Sequence, residues 1–289
     1  HELLSYEAVD NGSSVTVKQS VKVNGKQTEN ISGYGDTKTS ITPKKQPLND
    51  TNTHFINNLE WTIYPDGTVV CQSVLLPRGN PLELLRLGYE LQLPANMGNV
   101  TYYGRGPEEN YADRKSGMPL GVYKTTARDS FFPYGRPQDC GNHEDTRWVA
   151  VTDDKGQGLL FGSVGAPFAF SAIPYTTTDL ILANHPVELP KTTDKTVLVL
   201  SSATRGLGGA SCGPGPMSRD IIKANKPYPL SFFMRPVTSK SYKGEIRVPA
   251  AQLDMTMLTR TDKYTVKSVT SQEQGEACLL YTSPSPRDA

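Results

Sequence analysis

The fold class is decided most clearly by the stretch Leu85-Arg86-Leu87-Gly88-Tyr89-Glu90-Leu91-Gln92-Leu93. Leucine and tyrosine occupy every second position of this stretch, and arginine, glycine, glutamate and glutamine fill the positions between them. Successive side chains of a β-strand point to opposite faces of a sheet. A period of two residues therefore predicts a strand with one buried face and one polar face.

The same strand character recurs along most of the chain. The sequence has 25 Gly and 22 Pro, many turn signals and no convincing helical pattern. Asp66-Gly67 supplies the turn geometry of a β-hairpin, and we expect the same of residues 153–156. These features predict an all-β protein built as a sandwich. The predicted strands are Glu60–Tyr64, Thr68–Cys71, Trp148–Thr152, Leu159–Phe161 and Thr196–Leu200, and Val21–Lys26 is predicted to form a hairpin in the same way.

Composition excludes several classes of function. The formal net charge is +1, charged residues make up 20% of the chain, and no charge asymmetry stands out, so neither nucleic acid nor an anionic membrane is an expected partner. No run of 18 apolar residues is present, so no membrane span is expected. Cys71, Cys140 and Cys212 lie far apart without CxxC spacing, which predicts buried or unreactive thiols and no metal site.

Three loops are unusually rich in glycine, charged and aromatic residues. They resemble, in the same order, three blocks of the C-terminal domain of family-two β-galactosidases. That domain is an antiparallel β-supersandwich similar to galactose mutarotases, and the resemblance assigns it residues 1–237, truncated at the N-terminus. The blocks are Tyr102-Tyr103-Gly104-Arg105-Gly106-Pro107-Glu108-Glu109-Asn110-Tyr111-Ala112-Asp113-Arg114, Tyr134-Gly135-Arg136-Pro137-Gln138-Asp139-Cys140-Gly141-Asn142-His143-Glu144-Asp145-Thr146-Arg147-Trp148 and Gly206-Leu207-Gly208-Gly209-Ala210-Ser211-Cys212-Gly213-Pro214.

The resemblance implies that the parent protein is a retaining β-galactosidase, which hydrolyses terminal β-D-galactosides. That reaction needs two carboxylates about 5 Å apart, one as acid/base and one as nucleophile. In the family both are glutamates of a β/α barrel that precedes this stretch. We therefore expect no catalytic residue here, no cofactor in this part and no hydrolysis by this part alone. A divalent or monovalent cation in the missing barrel is compatible with the resemblance.

The third block is the predicted contribution to the substrate site. Glycines free backbone amides to approach a ligand closely, and by resemblance this loop faces the mouth of the barrel. In well-known members of the family a sugar-stacking Trp lies in this block, and its position falls on Gly213 here. The aromatic platform is thus absent or supplied from elsewhere. The predicted substrate-binding residues are Gly208, Gly209, Ser211, Cys212 and Gly213.

Polar residues of the first two blocks have two open interpretations. They could contact carbohydrate or the neighbouring domain, or they could hold their own loop by charge-assisted hydrogen bonds. For Arg147 and Asp145, which flank the start of a strand, a local ion pair is expected. The candidate contact residues are Arg105, Glu108, Asn110, Asp113, Arg114, Asn142, His143 and Arg147.

Two alternative functions remain open. A mutarotase-like epimerase needs a histidine and a carboxylate for acid/base work, which His143, Glu144 and His185 could supply. A non-catalytic carbohydrate-binding module would bind sugar on aromatic faces, although Trp61, Trp148, Phe168, Phe170 and Tyr175 are expected in the core. For the main interpretation the expected partners are a β-galactoside or glycan, the catalytic barrel and, in a homo-oligomer, further copies.

The two ends of the chain carry separate predictions. Residues 238–262 are a predicted linker, and residues 263–277 resemble the opening of a discoidin-like carbohydrate-binding module. Such modules are common on glycan-degrading enzymes of Bacteroidetes, which favours a periplasmic or secreted location, with the cytoplasm as the alternative. Residues 278–289 resemble a translated sequencing adapter, so the chain is interpreted as a piece of a longer protein.

Overall fold

The computed structural model describes residues 1–24, 54–79, 84–209, 213–224 and 226–238. The strands in these ranges are β1 (Glu2–Asp10), β2 (Val15–Asn24), β3 (His54–Ile63), β4 (Val69–Arg78), β5 (Arg86–Pro94), β6 (Asn99–Arg105), β7 (Leu120–Thr126), β8 (His143–Thr146), β9 (Trp148–Thr152), β10 (Gly158–Ser163), β11 (Phe168–Ile173), β12 (Lys195–Thr204) and β13 (Tyr228–Val237). Helix α1 (Thr177–Leu182) and two 3₁₀ turns at Pro186–Glu188 and Ser218–Asp220 lie between them.

The strands form two sheets. The larger sheet has nine strands in the order β1-β2-β3-β4-β13-β10-β9-β6-β7, and the smaller has four in the order β5-β12-β11-β8. All of the strand pairs are antiparallel. The expectation of an all-β antiparallel supersandwich is therefore confirmed.

The alternating stretch at residues 85–93 coincides with most of β5, and its burial differs in part from the expectation. Leu87, Tyr89 and Leu93 are buried as the alternation predicts, but Arg86 and Gly88 are buried as well. The Arg86 guanidinium forms an ion pair with Asp139 and donates to Ser171 Oγ at 3.3 Å. The polar face of β5 is thus covered at this end, which a strand pattern by itself does not reveal.

The main core fills the space between the sheets. Tyr102, Phe161, Phe168, Phe170 and Phe232 are its largest members, joined by aliphatic side chains from both sheets. The expectation that the aromatic residues serve the core is confirmed for Trp148, Phe168 and Phe170. Trp61 is half-buried, and its ring meets the ring of Phe232 edge-on at 6.2 Å.

The hairpins predicted at Asp66-Gly67 and at residues 153–156 are present. β3 and β4 pair across the turn at Asp66-Gly67, where Gly67 has a φ of +83°. Asp66 Oδ1 accepts a hydrogen bond from the backbone N–H of Thr68 at 2.9 Å, which closes the turn. β9 and β10 pair in the same way around residues 153–156.

Helix α1 has only six residues, so it is too short to show a helical period in the sequence. Its N-terminus is held by a capping box in which Thr176 and Asp179 bond each other's backbone N–H groups. No helix among the described residues is long and apolar enough to cross a membrane.

Several predictions fall outside the described residues. They are residues 25 and 26 of the predicted hairpin at residues 21–26, the rim residues Ser211 and Cys212, the linker beyond Thr238, the discoidin-like segment 263–277 and the adapter-like segment 278–289. Cys71 and Cys140 are buried free thiols, as expected. Burial raises the pKa of both, that of Cys140 to about 12.

Candidate functional site

The first two sequence blocks interlock through two buried asparagines. The backbone N–H of Asn110 donates to the carbonyl of Asn142, and Asn142 Nδ2 donates back to the carbonyl of Asn110, both at 2.7 Å. Asn110 Oδ1 also accepts from the backbone N–H of Glu144 at 2.8 Å. Because neither asparagine is exposed, their amides serve the junction between the loops and leave no surface for a carbohydrate.

Glu109 is a second link between the same two blocks. Its carboxylate accepts hydrogen bonds from the backbone N–H of Gly141 at 2.8 Å, from the hydroxyl of Tyr111 at 3.3 Å and from the hydroxyl of Tyr134. A carboxylate with several donors around it fixes the loops that carry them. The residue types gave no signal that singled out Glu109 from Glu108, whose side chain is exposed.

The first block also holds the third. Asp113 Oδ1 accepts from the backbone N–H of Leu207 at 3.0 Å, and Asp113 Oδ2 accepts from that of Gly208 at 2.7 Å. Arg114 Nη2 donates to the carbonyl of Gly208 at 2.7 Å. Asp113 and Arg114 therefore fix the glycine-rich loop rather than their own loop.

The glycine-rich loop is tightly folded where it is described. Gly208 has a φ of +69°, and the backbone N–H of Gly209 donates to the carbonyl of Pro214 at 2.7 Å. A Cβ atom added at Gly213 would lie 2.4 Å from the carbonyl oxygen of Gly209. The position of the family's sugar-stacking Trp thus has no room for a side chain in this backbone.

A group of charges lies beside the junction. Arg105 Nε donates to Asp145 Oδ2 at 2.5 Å, and Lys115 Nζ lies 3.0 Å from Asp145 Oδ1. Burial acts to raise the pKa of Asp145, but the hydrogen bonds and the positive charges of Arg105 and Lys115 together outweigh it and lower that pKa. Asp145 has a φ of +53°, a conformation that non-glycine residues seldom adopt.

The expected ion pair between Arg147 and Asp145 is wrong. The Arg147 guanidinium donates to the backbone carbonyl of Asp145, and it lies 5.8 Å from the centre of the Tyr103 ring. The Asp145 carboxylate is taken by Arg105 and Lys115 instead. Residues that are distant along the chain thus displaced a pairing that the local sequence favoured.

Glu144 occupies the buried side of the same charge group. Its Oε1 accepts from Thr204 Oγ1 at 2.5 Å and from Asn142 Nδ2 at 3.0 Å, while Oε2 lies 3.9 Å from Lys115 Nζ. Burial raises its pKa above the usual range, although these partners act in the opposite direction. The sequence gave no indication that Thr204 and Lys115 belong to this group, because both are distant from Glu144 along the chain.

His143 is enclosed between aromatic rings. The centres of the Tyr102 and Phe170 rings lie 4.4 Å and 5.2 Å from that of the imidazole, and Nδ1 lies 3.0 Å from the carbonyl oxygen of Arg105. Burial lowers its pKa to about 4, so the imidazole is neutral at pH 7. His185, in contrast, is 69% exposed and pairs with Glu188 at 3.0 Å. The two histidines have different surroundings, and the structure does not support the pairing expected of a mutarotase.

Metal-binding chemistry is not indicated in the part of the chain that the structure describes. No group of three or more His, Cys, Asp or Glu side chains is arranged there to hold an ion. Most polar side-chain atoms of the junction bond to one another or to the backbone, and Asn142 Oδ1 is buried without a hydrogen-bond partner. What the site offers is a fixed scaffold that carries a glycine-rich loop.

Comparison with known proteins gives a family match over most of the described sequence. The family model of the β-galactosidase small chain matches residues 5–234. The β-galactosidase BgaC of Bifidobacterium adolescentis is 43% identical over 147 residues, which cover 50% of this chain and 14% of that protein. A β-galactosidase small subunit of Latilactobacillus sakei is 40% identical over 132 residues, which cover 42% of this chain and 41% of the subunit.

The chain spans only a small share of its larger relatives. The match to the β-galactosidase of Priestia megaterium, 34% identical over 179 residues, covers 61% of this chain but 17% of that enzyme. Among solved structures, the galactose 1-epimerase of Lactobacillus acidophilus aligns over 82% of this chain and 66% of its own at 8% identity, with a TM-score of 0.35. A likeness at this TM-score carries no argument about function.

Proposed function

The chain belongs to the β-galactosidase small-chain family, and from this premise we propose that it is the terminal β-sandwich portion of a retaining β-galactosidase. The whole enzyme would hydrolyse terminal non-reducing β-D-galactosides. The observation that carries the proposal is that two charged side chains hold the backbone of the glycine-rich loop. Asp113 accepts from two of its amides, and Arg114 donates to one of its carbonyls.

The role proposed for this loop is to complete the rim of the substrate site. A rim must keep its position when substrate arrives, because misplaced groups contribute little to orienting a reactant. Charged side chains bond both to N–H groups and to a carbonyl group of the loop backbone, and such bonds hold the loop more firmly than neutral hydrogen bonds would. Glycines in the loop leave backbone atoms open to close approach by a sugar.

The two catalytic carboxylates are proposed to come from the larger portion of the enzyme. Retaining hydrolysis needs an acid/base and a nucleophile that face the scissile bond. The junction carboxylates of Glu109, Asp113, Glu144 and Asp145 are engaged in holding loops and neighbouring cations. They are therefore poor candidates, and the chain is proposed to work only together with a catalytic portion.

A chimera tests this proposal. This chain would replace the matching segment of the Bifidobacterium adolescentis β-galactosidase, and hydrolysis of nitrophenyl β-D-galactoside would be measured. Asp113→Asn weakens the hydrogen bonds that hold the glycine-rich loop, so we expect kcat/KM to fall by roughly tenfold or more, as for loss of a positioning contact. Asp194→Asn, at a side chain that is 88% exposed, should leave the rate unchanged.

Two outcomes would count against the proposal. An active chimera whose kcat/KM is unchanged by Asp113→Asn would remove the glycine-rich loop from the substrate site. A chimera that assembles and folds but has no activity, with or without that substitution, would argue against a completing role for the chain. Measured thermal unfolding of each protein separates these outcomes from simple misfolding.

Other features remain proposals. An appended carbohydrate-binding module, a homo-oligomer, a periplasmic or secreted location and a cation in the catalytic portion all follow from the resemblance alone. Because no side chain fits at Gly213, we further propose a sugar platform supplied from elsewhere in the assembled enzyme, compatible with an aglycone more complex than a single sugar. No observation of comparable weight favours the mutarotase alternative.

A further inference from the structure

The nine-stranded sheet extends past the smaller sheet on one side. β5 is the last strand of the four-stranded sheet on that side, and it lies opposite β3, where Tyr89 donates a hydrogen bond to Asn57 Oδ1 at 2.9 Å. β2 and β1 continue the larger sheet beyond β3. The Val23 end of β2 still meets the smaller sheet, because Val23 clusters with Leu87 of β5, whereas the residues of β1 belong neither to that cluster nor to the main core.

The register shows which side chains face the uncovered space. Val23 of β2 belongs to the buried core, so the odd-numbered residues of β2 point toward the inside of the sandwich. In β1, Leu3 pairs with Val21, Tyr6 with Gln19 and Ala8 with Val17, which places them on the same face. We call this surface the β1–β2 apolar face; its apolar members are Leu3, Tyr6, Ala8, Val15, Val17 and, from the end of β3, Ile63, and the same register also places Gln19 and Asp10 on it.

The two faces of these strands differ in chemistry, although Val9 lies on the more polar one. On the β1–β2 apolar face Tyr6 is 50% exposed and Ile63 43% exposed. On the opposite face Lys18 and Glu60 form an ion pair at 3.9 Å, and Ser20 donates to Asn58 Oδ1 at 2.8 Å. A sheet with one apolar and one polar face is built to be covered on the apolar side.

We infer that the β1–β2 apolar face is the surface on which the chain packs against the larger portion of its parent β-galactosidase, an inference that rests on the proposed function. The chain covers only 14% and 17% of the Bifidobacterium and Priestia enzymes that it matches, so most of such an enzyme lies outside it. Val21 and Trp61 of the same face already pack against the core. A partner surface of aliphatic and aromatic side chains would extend that core outward.

Binding of substituted chains tests the inference. The partner is the Bifidobacterium adolescentis β-galactosidase without the segment that matches this chain, and sedimentation velocity measures the complex. We expect Tyr6→Lys to weaken binding by roughly thirtyfold, as for loss of a central aromatic anchor. The matched control is Val9→Lys, because Val9 lies on the same strand with 39% exposure but faces the other way. It should bind within about twofold of the unaltered chain.

A second variant protects the test from misfolding. Val15→Thr keeps the side-chain shape and adds a hydroxyl on the same face, so it should weaken binding in the same direction with the urea midpoint nearly unchanged. Binding by Tyr6→Lys as tight as by the Val9→Lys control would overturn the inference. The inference would also be overturned if Tyr6→Lys abolished self-association of the chain but left its complex with the larger portion intact. The β1–β2 apolar face would then pair two copies of this chain. If the unaltered chain formed no complex, the proposed association with a larger portion would itself fail.

Discussion

Single polar residues connect the three loops of the site. Asn110 and Asn142 exchange hydrogen bonds with each other's backbone, and Glu109 and Asp113 each accept from backbone N–H groups of another loop. A buried donor or acceptor that loses its partner destabilises a protein by about 1–3 kcal/mol. The need to hold the loops together therefore accounts for these polar residues without any contact to a ligand.

His143 gives a prediction about pH. Its folded pKa is about 4, below the ordinary value of 6.5, because burial disfavours the charged form. Between these pH values the unfolded chain binds a proton that the folded chain does not, so stability falls as the pH is lowered from 6.5 to 4. We expect His143 to contribute about 2 kcal/mol to the loss of unfolding free energy between pH 7.5 and pH 5.

The measurement is urea unfolding at both pH values, for the unaltered chain and for His143→Phe. Phenylalanine keeps a ring between Tyr102 and Phe170 but cannot titrate, so its pH dependence should be smaller by that amount. The comparison is needed because the raised pKa of Glu144 acts in the opposite direction. Its contribution lowers the stability of the folded chain as pH rises. Equal pH dependence of the unfolding free energy in the two chains would contradict the assignment to His143. So would a His185→Gln chain whose pH dependence is reduced by as much as that of His143→Phe.

Gly213 gives a prediction about the missing aromatic platform. A Cβ at this position would lie 2.4 Å from the carbonyl oxygen of Gly209, whereas nothing lies within 4 Å of a Cβ at Gly215. Gly213→Trp should therefore lower the free energy of unfolding by about 1–3 kcal/mol, and Gly215→Trp should lower it much less. Urea midpoints of the two variants provide the comparison. A Gly213→Trp chain as stable as the Gly215→Trp chain would show that the loop adapts and that a platform can be built there.

At the scale of elements, the sequence predicted the strands but not what covers them. Alternation over residues 85–93 identified β5 because a half-buried strand has a period of two. It did not predict that Arg86 is buried, since its partner Asp139 arrives from a loop more than fifty residues later. Helix α1 was not predicted, because six residues are fewer than two helical turns.

Contact between β5 and β12 gives the element-scale prediction. A Cβ added at Gly88 would lie 2.1 Å from the carbonyl oxygen of Leu200, next to the irregularity at which Ser201 pairs with Gly88. Gly88→Ala should force the two strands apart and lower the free energy of unfolding by about 2–3 kcal/mol. Gly98→Ala is the matched control, because its Cβ would meet only the carbonyl oxygen of Ala95 at 3.6 Å. If the urea midpoints fell by the same amount in both variants, the close approach of β5 to β12 would not be the cause of the lost stability.

At the scale of the whole molecule, the site is a product of topology. The order and residue types of the three blocks indicated that they belong together, but not which atoms join them. Asp113 reaches Leu207 and Gly208, nearly a hundred positions away, only because two sheets bring distant strand ends to one side of the sandwich. No local pattern carries that information, which explains why the Arg147–Asp145 pairing was wrong while the strand assignments within the described residues were confirmed.

The same topology predicts how the isolated chain behaves. Its described strands build a sandwich with a loop site, but the carboxylates of that site are committed to holding loops, so the chain alone should not hydrolyse nitrophenyl β-D-galactoside. The assay compares purified chain with an equal molar amount of the Bifidobacterium adolescentis enzyme and follows activity across a size-exclusion peak. Activity that coincides with the chain and keeps a constant ratio to its concentration would place a catalytic pair within this sequence. Activity that separates from the chain would mark a contaminating enzyme and leave the dependence on a catalytic portion intact.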